Sequence, residues 1–126
     1  MDTLGLVLGA WVTPASTPER AGAQALLART LGWFTWLHLL WVEGGYSGSA
    51  FARWVKTIRP KLEVEVVRRS DDVRGFKVLP RRWVVEHTFG WLMRQRRLVR
   101  DYETTESSAR AWIYIATIRI QLRRLA

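Results

Sequence analysis

Seven residues, Trp36 to Val42 (WLHLLWV), restrict the folds open to this chain more than any other stretch. An apolar run of strand length reads as a central strand covered on both faces. Strands of that kind belong to sheets with helices packed on them, an α/β pattern rather than a half-exposed hairpin. Glu43 stands at the carboxyl end of the run, followed by Gly44, Gly45 and Tyr46. Open α/β sheets hold their ligands at the carboxyl ends of strands. An acid there, beside a two-glycine turn, is a candidate metal or phosphate site, and a solvated loop acid is the alternative.

The flanking segments fit this pattern. Residues 3–12 (TLGLVLGAWV) predict a buried strand that would need partners on both sides. Thr17 as N-cap and Pro18 at the first helical position predict a helix over ERAGAQALLART, ended near Gly32. Ser47 or Ser49 is expected to cap a helix running to about Ile58. Leu62 to Val67 alternates as a half-covered strand near an edge. Arg68 to Gly75, with Asp71 and Asp72, reads as a charged loop, and Phe76 to Leu79 as a short strand. A last helix, ARAWIYIATIRIQLRRLA, is expected after a cap at Ser107 or Ser108. Its length of 126 residues suits one domain with a modest core and not two.

Leu79 to Glu103 (LPRRWVVEHTFGWLMRQRRLVRDYE) predicts a helix starting near Pro80, which a first turn tolerates. Val85, Phe89 and Leu92 recur at helical spacing and mark its expected inner face. Glu86 lies off that stripe, with Arg82 one turn before it and Arg97 returning to nearly the same angle. Arg94, Arg96 and Arg100 surround it with positive charge. Two readings of Glu86 stand here: half of an Arg82–Glu86 ion pair, or a metal-binding carboxylate beside a phosphate-binding surface.

Twenty Lys and Arg against eleven Asp and Glu give a net charge of +9, and seventeen of the twenty are arginine. Arginine is suited to bidentate phosphate contacts, so a polyanion, and by default nucleic acid, is the expected partner. The absence of cysteine excludes disulfides and thiolate metal sites. Two histidines, His38 and His87, are too few for a histidine metal cluster. No apolar run reaches membrane-spanning length, and the apolar segment near the start lacks a preceding positive charge. These features predict a cytoplasmic protein with no membrane partner.

The blocks DTLGLVLGAWVTPAS, VEGGYSG, VLPRRWVVEHTFGWLMRQRRLVRDYE and AWIYIATIRIQLRRL together resemble the C-terminal portion of bacterial insertion-sequence transposases of the DDE type, over nearly the whole chain. That resemblance implies an incomplete ribonuclease H-like α/β fold: a mixed sheet flanked by helices, its first strands missing, over residues 1–126 as a single partial domain. In the family, two Asp and one Glu hold Mg²⁺ or Mn²⁺, hard cations that favour carboxylate and phosphate oxygens, for cleavage and transfer of DNA strands. By position, Glu86 would be the terminal Glu, Arg82 its basic partner one turn earlier, and Glu43 would stand where the family has its second Asp. Arg82, Arg94, Arg96, Arg97 and Arg100 would face DNA, meaning transposon ends and target. Asp2 does not match the first catalytic Asp, which lies upstream of the matching blocks. Glu43 carries one methylene more than Asp, and a misplacement of about 1 Å can lower a rate on the order of a hundredfold. The resemblance therefore implies a partial transposase, inactive alone, whose partners include an N-terminal half or an intact transposase. The alternative is a basic DNA-binding remnant that modulates an intact enzyme. Lacking the strands between Leu4–Val12 and Trp36–Val42, the chain is expected to have a poorly anchored N-terminal strand, exposed apolar edges and a tendency to self-associate.

Overall fold

The computed structural model describes residues 1–67 and 80–125, which fold as mixed α/β. The elements are α1 (Glu19–Thr30), β1 (Leu39–Glu43), a 3-10 turn (Gly44–Tyr46), α2 (Ser49–Ile58), β2 (Glu63–Val67), α3 (Pro80–Met93) and α4 (Glu106–Leu125). They divide between two compact units, Glu19–Lys77 and Met1–Pro18 with Val78–Ala126.

In the Glu19–Lys77 unit, β1 and β2 pair in parallel, from Leu39 opposite Glu63 to Glu43 opposite Val67, with α2 as the connection. Phe51 and Val55, one turn apart on α2, are buried and meet Leu31 and Leu62. Leu40, Val42 and Val64 reach this core from the sheet, and Ala23 and Leu27 from α1. Each fully buried Val, Leu or Phe stabilises such a core by about 1.5–3 kcal/mol. The opposite face of β1 carries Leu39 and Trp41, both exposed. Trp41 there donates from its indole nitrogen to Glu65 at 2.9 Å.

Three sequence expectations change in this unit. The strand is Leu39–Glu43 rather than Trp36–Val42, and only its Leu40–Val42 side is covered. Trp36 instead sits in a turn with its ring edge-on to Phe34, 5.5 Å between centroids. The N-cap of α2 is Gly48 at φ 101°, with no side-chain cap, rather than Ser47 or Ser49. A positive φ there favours glycine over either serine. The helix over 19–30, the α2 terminus at Ile58 and the strand preceding Val67 agree with expectation.

In the other unit, residues 3–12 are not a strand. Gly5 at φ 79° breaks the extended run, and the backbone is satisfied by side chains instead of a ladder. Asp2 accepts from the Leu4 and Leu6 amides at 2.9 and 2.8 Å. Arg124 donates to the Leu4 carbonyl at 3.0 Å, and the Tyr114 hydroxyl bonds both the Ala10 amide and carbonyl. Arg110 lies 4.4 Å over the Trp11 ring. A segment held at this many points is anchored, contrary to the poor anchoring expected of it.

The helix predicted across Leu79–Glu103 ends at Met93. Successive i to i+3 bonds, Trp91 to Arg94, Leu92 to Gln95 and Gln95 to Leu98, carry the chain through turns. These turns let Arg97 reach Glu103 and stack over the rings of Tyr102 and Trp112, at 5.5 and 5.1 Å. This tertiary closure overrides the helical propensity of RQRRLVR. The inner face centres on Thr88, which is buried; Val85 and Leu92 of the expected stripe are half-buried, as are Val84 and Trp91, whereas Phe89 is exposed. A threonine is tolerated inside because its hydroxyl lies 3.0 Å from the Gly5 carbonyl and 2.9 Å from that of Val84. The cap of α4 is Thr105, whose hydroxyl accepts the Ser108 amide at 3.2 Å, rather than Ser107 or Ser108.

Candidate functional site

Glu43 is the last residue of β1, as the sequence predicts, and the Gly44–Tyr46 turn follows directly. The first turn of α1 holds this turn in place. Arg20 donates to the Gly45 carbonyl at 3.1 Å and to that of Ser47 at 2.9 Å. Its neighbour Glu19 bonds the Tyr46 hydroxyl and would sit 3.4 Å from any Cβ added at Gly45. The ring of Tyr46 meets Phe51 at 5.1 Å, which ties the turn to the core.

Burial pushes the Tyr46 phenol up to about 12, and the charge and hydrogen bond of Glu19 and then the charge of Glu43 push the same way. A tyrosine that senses both acids marks a locally negative corner with Glu19, Glu43 and Tyr46 around it. Glu19 is the residue that sequence reading missed. It lies twenty-four positions before Glu43 and serves locally as an ordinary first-turn acid of α1, so no local signal marks it.

Glu86 lies on α3, exposed, in the other unit. Arg82 and Glu86 form no ion pair among the described residues, so the ion-pair reading is corrected. His87, its neighbour, stacks between Trp83 and Trp91, with centroids 5.2 and 4.0 Å away. The arginines separate by role. Arg97 is committed to Glu103 and to two aromatic rings, and Arg82 is half-buried. Arg94, Arg96 and Arg100 are exposed on the turns after α3. Because those turns replace a helix, Arg97 does not return to the angle of Glu86. Asp71 and Asp72 lie outside the described residues. Asp2 accepts the Leu4 and Leu6 amides in its own turn.

The family model described as the transposase DDE domain matches residues 1–120. The chain belongs to that family. No curated protein and no solved structure matches it. Membership implies a transposition-related function, DNA as substrate and, in the family generally, a divalent metal. Among the described residues, no group of three or more His, Asp or Glu stands close enough together to hold a metal ion. Among the described residues, Glu19 and Glu43 are the acids that act on Tyr46, which stays a protonated phenol over the ordinary pH range. The donors described in this chain therefore do not by themselves fit a two-metal centre. Among the described residues, no helix is long and apolar enough to cross a membrane.

Proposed function

We propose that the chain is a partial DDE transposase domain that engages DNA and is inactive in strand cleavage on its own. The observation carrying this reading is the family match over residues 1–120 with a strand-end acid, Glu43, before a two-glycine turn. Glu43 and Glu86 are the carboxylates proposed to serve, and the reading takes a further acid from a partner chain. The ribonuclease H-like architecture and the insertion-sequence origin belong to the same reading.

DNA engagement is assigned to Arg94, Arg96 and Arg100, with Arg82 nearer to Glu86. Exposed guanidinium groups after α3 and a net charge of +9 support it. A second reading, a DNA-binding remnant that interferes with an intact transposase, rests on the same arginines and needs neither acid. Co-expression with a chain supplying an upstream Asp-bearing strand separates the two. The partial-enzyme reading expects Mg²⁺- or Mn²⁺-dependent cleavage to appear, to vanish in Glu86→Gln and to rise in Glu43→Asp. Binding without cleavage in every such combination leaves the remnant.

A further inference from the structure

The sheet fixes Glu43 from one side only. Glu43 is the last residue of β1 and pairs with Val67 at the end of the ladder, so its backbone runs straight into the Gly44–Tyr46 turn. That turn has little with which to hold itself. It is closed by the bond from the Ser47 amide to the Gly44 carbonyl at 3.0 Å, and Glu43 gives it no side-chain cap. Neither Gly44 nor Gly45 has a positive φ, and a Cβ added at Gly44 would meet nothing within 4 Å. Two glycines that the conformation does not require add backbone freedom, which contacts from outside the turn have to remove.

Helix α1 supplies those contacts from two adjacent residues. Arg20 donates from Nε and Nη2 to the Gly45 carbonyl at 3.2 and 3.1 Å, and from Nη2 to the Ser47 carbonyl at 2.9 Å. The two carbonyls flank Tyr46, and a planar guanidinium bonded to both fixes their relative orientation. Glu19 bonds the Tyr46 hydroxyl, and the Tyr46 ring rests on Phe51. Glu19, Arg20 and Gly45 are all exposed, whereas the core of this unit gathers on Leu31, Phe51, Val55 and Leu62. Charge-assisted bonds at the surface add little to net stability, but they restrict geometry. What Arg20 controls is therefore position.

We propose that Arg20, assisted by Glu19, is a positioning residue for Glu43: by clamping the Gly45 and Ser47 carbonyls it sets the direction in which the strand-end carboxylate leaves β1. This rests on the reading that Glu43 serves in strand cleavage, and it adds that the placement is built into this chain before DNA or a partner chain arrives. Lysine at position 20 would not substitute, because an ammonium is a point charge without a planar fork.

The test has two arms, each comparing the unaltered chain with Arg20→Ala and Arg20→Lys. In the isolated chain, ¹⁵N relaxation should give the Gly44, Gly45 and Tyr46 amides order parameters of about 0.85, falling below about 0.6 in both variants. The α2 amides and thermal unfolding should stay unchanged. In the chain complemented by an upstream Asp-bearing strand, both variants should lower kcat on the order of a hundredfold with KM for DNA unchanged. Order parameters that do not move in either variant overturn the proposal, whether or not cleavage is seen. So does a kcat equal to that of the unaltered chain, and so does a fall in thermal stability that accompanies the loosening, which would make Arg20 a structural residue only. A turn loosened as expected, with no cleavage by the complemented unaltered chain, would uphold the clamp and overturn instead the reading of Glu43 on which its catalytic role rests.

Discussion

At the scale of single residues, Gly5, Thr117 and Tyr46 give the firmest expectations. An alanine at Gly5 would place its Cβ 2.5 Å from the Thr88 hydroxyl at φ 79°. Backbone strain and overpacking together predict a loss of about 2–4 kcal/mol for Gly5→Ala, read from urea unfolding. Thr117 is the opposite case, a buried hydroxyl with no partner among the described residues. Thr117→Val keeps its shape and removes the unpaired group, so a gain of about 1 kcal/mol is expected in the same measurement. Tyr46 is pushed up to about 12 from an ordinary 10.0 by burial, Glu19 and Glu43. Between those values the folded state holds a proton that the unfolded state has released. The stability tied to this proton is intact below pH 10 and lost as the pH rises towards 12. An ultraviolet titration, taken as the difference from Tyr46→Phe, should show this late ionisation, and Glu19→Gln should bring it earlier. Ionisation near the ordinary value in the unaltered protein would remove Glu19 from the corner.

Among elements, α4 depends on a cap and on one acid. Thr105→Ala should cost about 1 kcal/mol, seen as fraying of the helix start by hydrogen exchange. Glu103 is held below the usual carboxylate range first by the Ser108 hydroxyl and then by Arg97. Because the folded value is depressed, its contribution is present above the ordinary 4.5 and disappears as the pH falls through the lowered value. Acid should therefore loosen the Arg97–Glu103–Ser108 junction before α2, whose core is apolar. How far sequence alone reaches is visible in these elements. The bounds of α1 and the α2 terminus follow from local composition, because Pro18 and Gly32 bracket one and Phe51 and Val55 repeat within the other. The start of α3 follows from Pro80. Its end at Met93 does not, since the contacts that stop it run from Arg97 to Glu103 and Trp112. The apolar run at residues 3–12 misled for a related reason. An extended segment is a strand only if another backbone pairs with it, and here side chains of α3 and α4 take those positions. The strand-end position of Glu43 was legible from the apolar run before it, whereas Glu19 reaches Tyr46 only through the tertiary fold.

For the whole molecule, holding DNA and cutting it are expected to be separable. The backbone-phosphate contacts proposed for Arg94, Arg96 and Arg100 would make affinity fall steeply with salt. Replacing all three with glutamine should flatten that dependence without changing thermal unfolding. Family membership concerns the chemistry of transposition, but the carboxylates described here do not gather into a metal-holding group. The most direct measurement is nicking of supercoiled plasmid by the purified chain in Mg²⁺ or Mn²⁺, beside Glu86→Gln, with DNA binding recorded in the same samples. The expected result is salt-sensitive binding by both proteins and no metal-dependent nicking that distinguishes them. Nicking by the unaltered chain that disappears in Glu86→Gln would contradict it, and would mean that this chain completes the catalytic centre by itself.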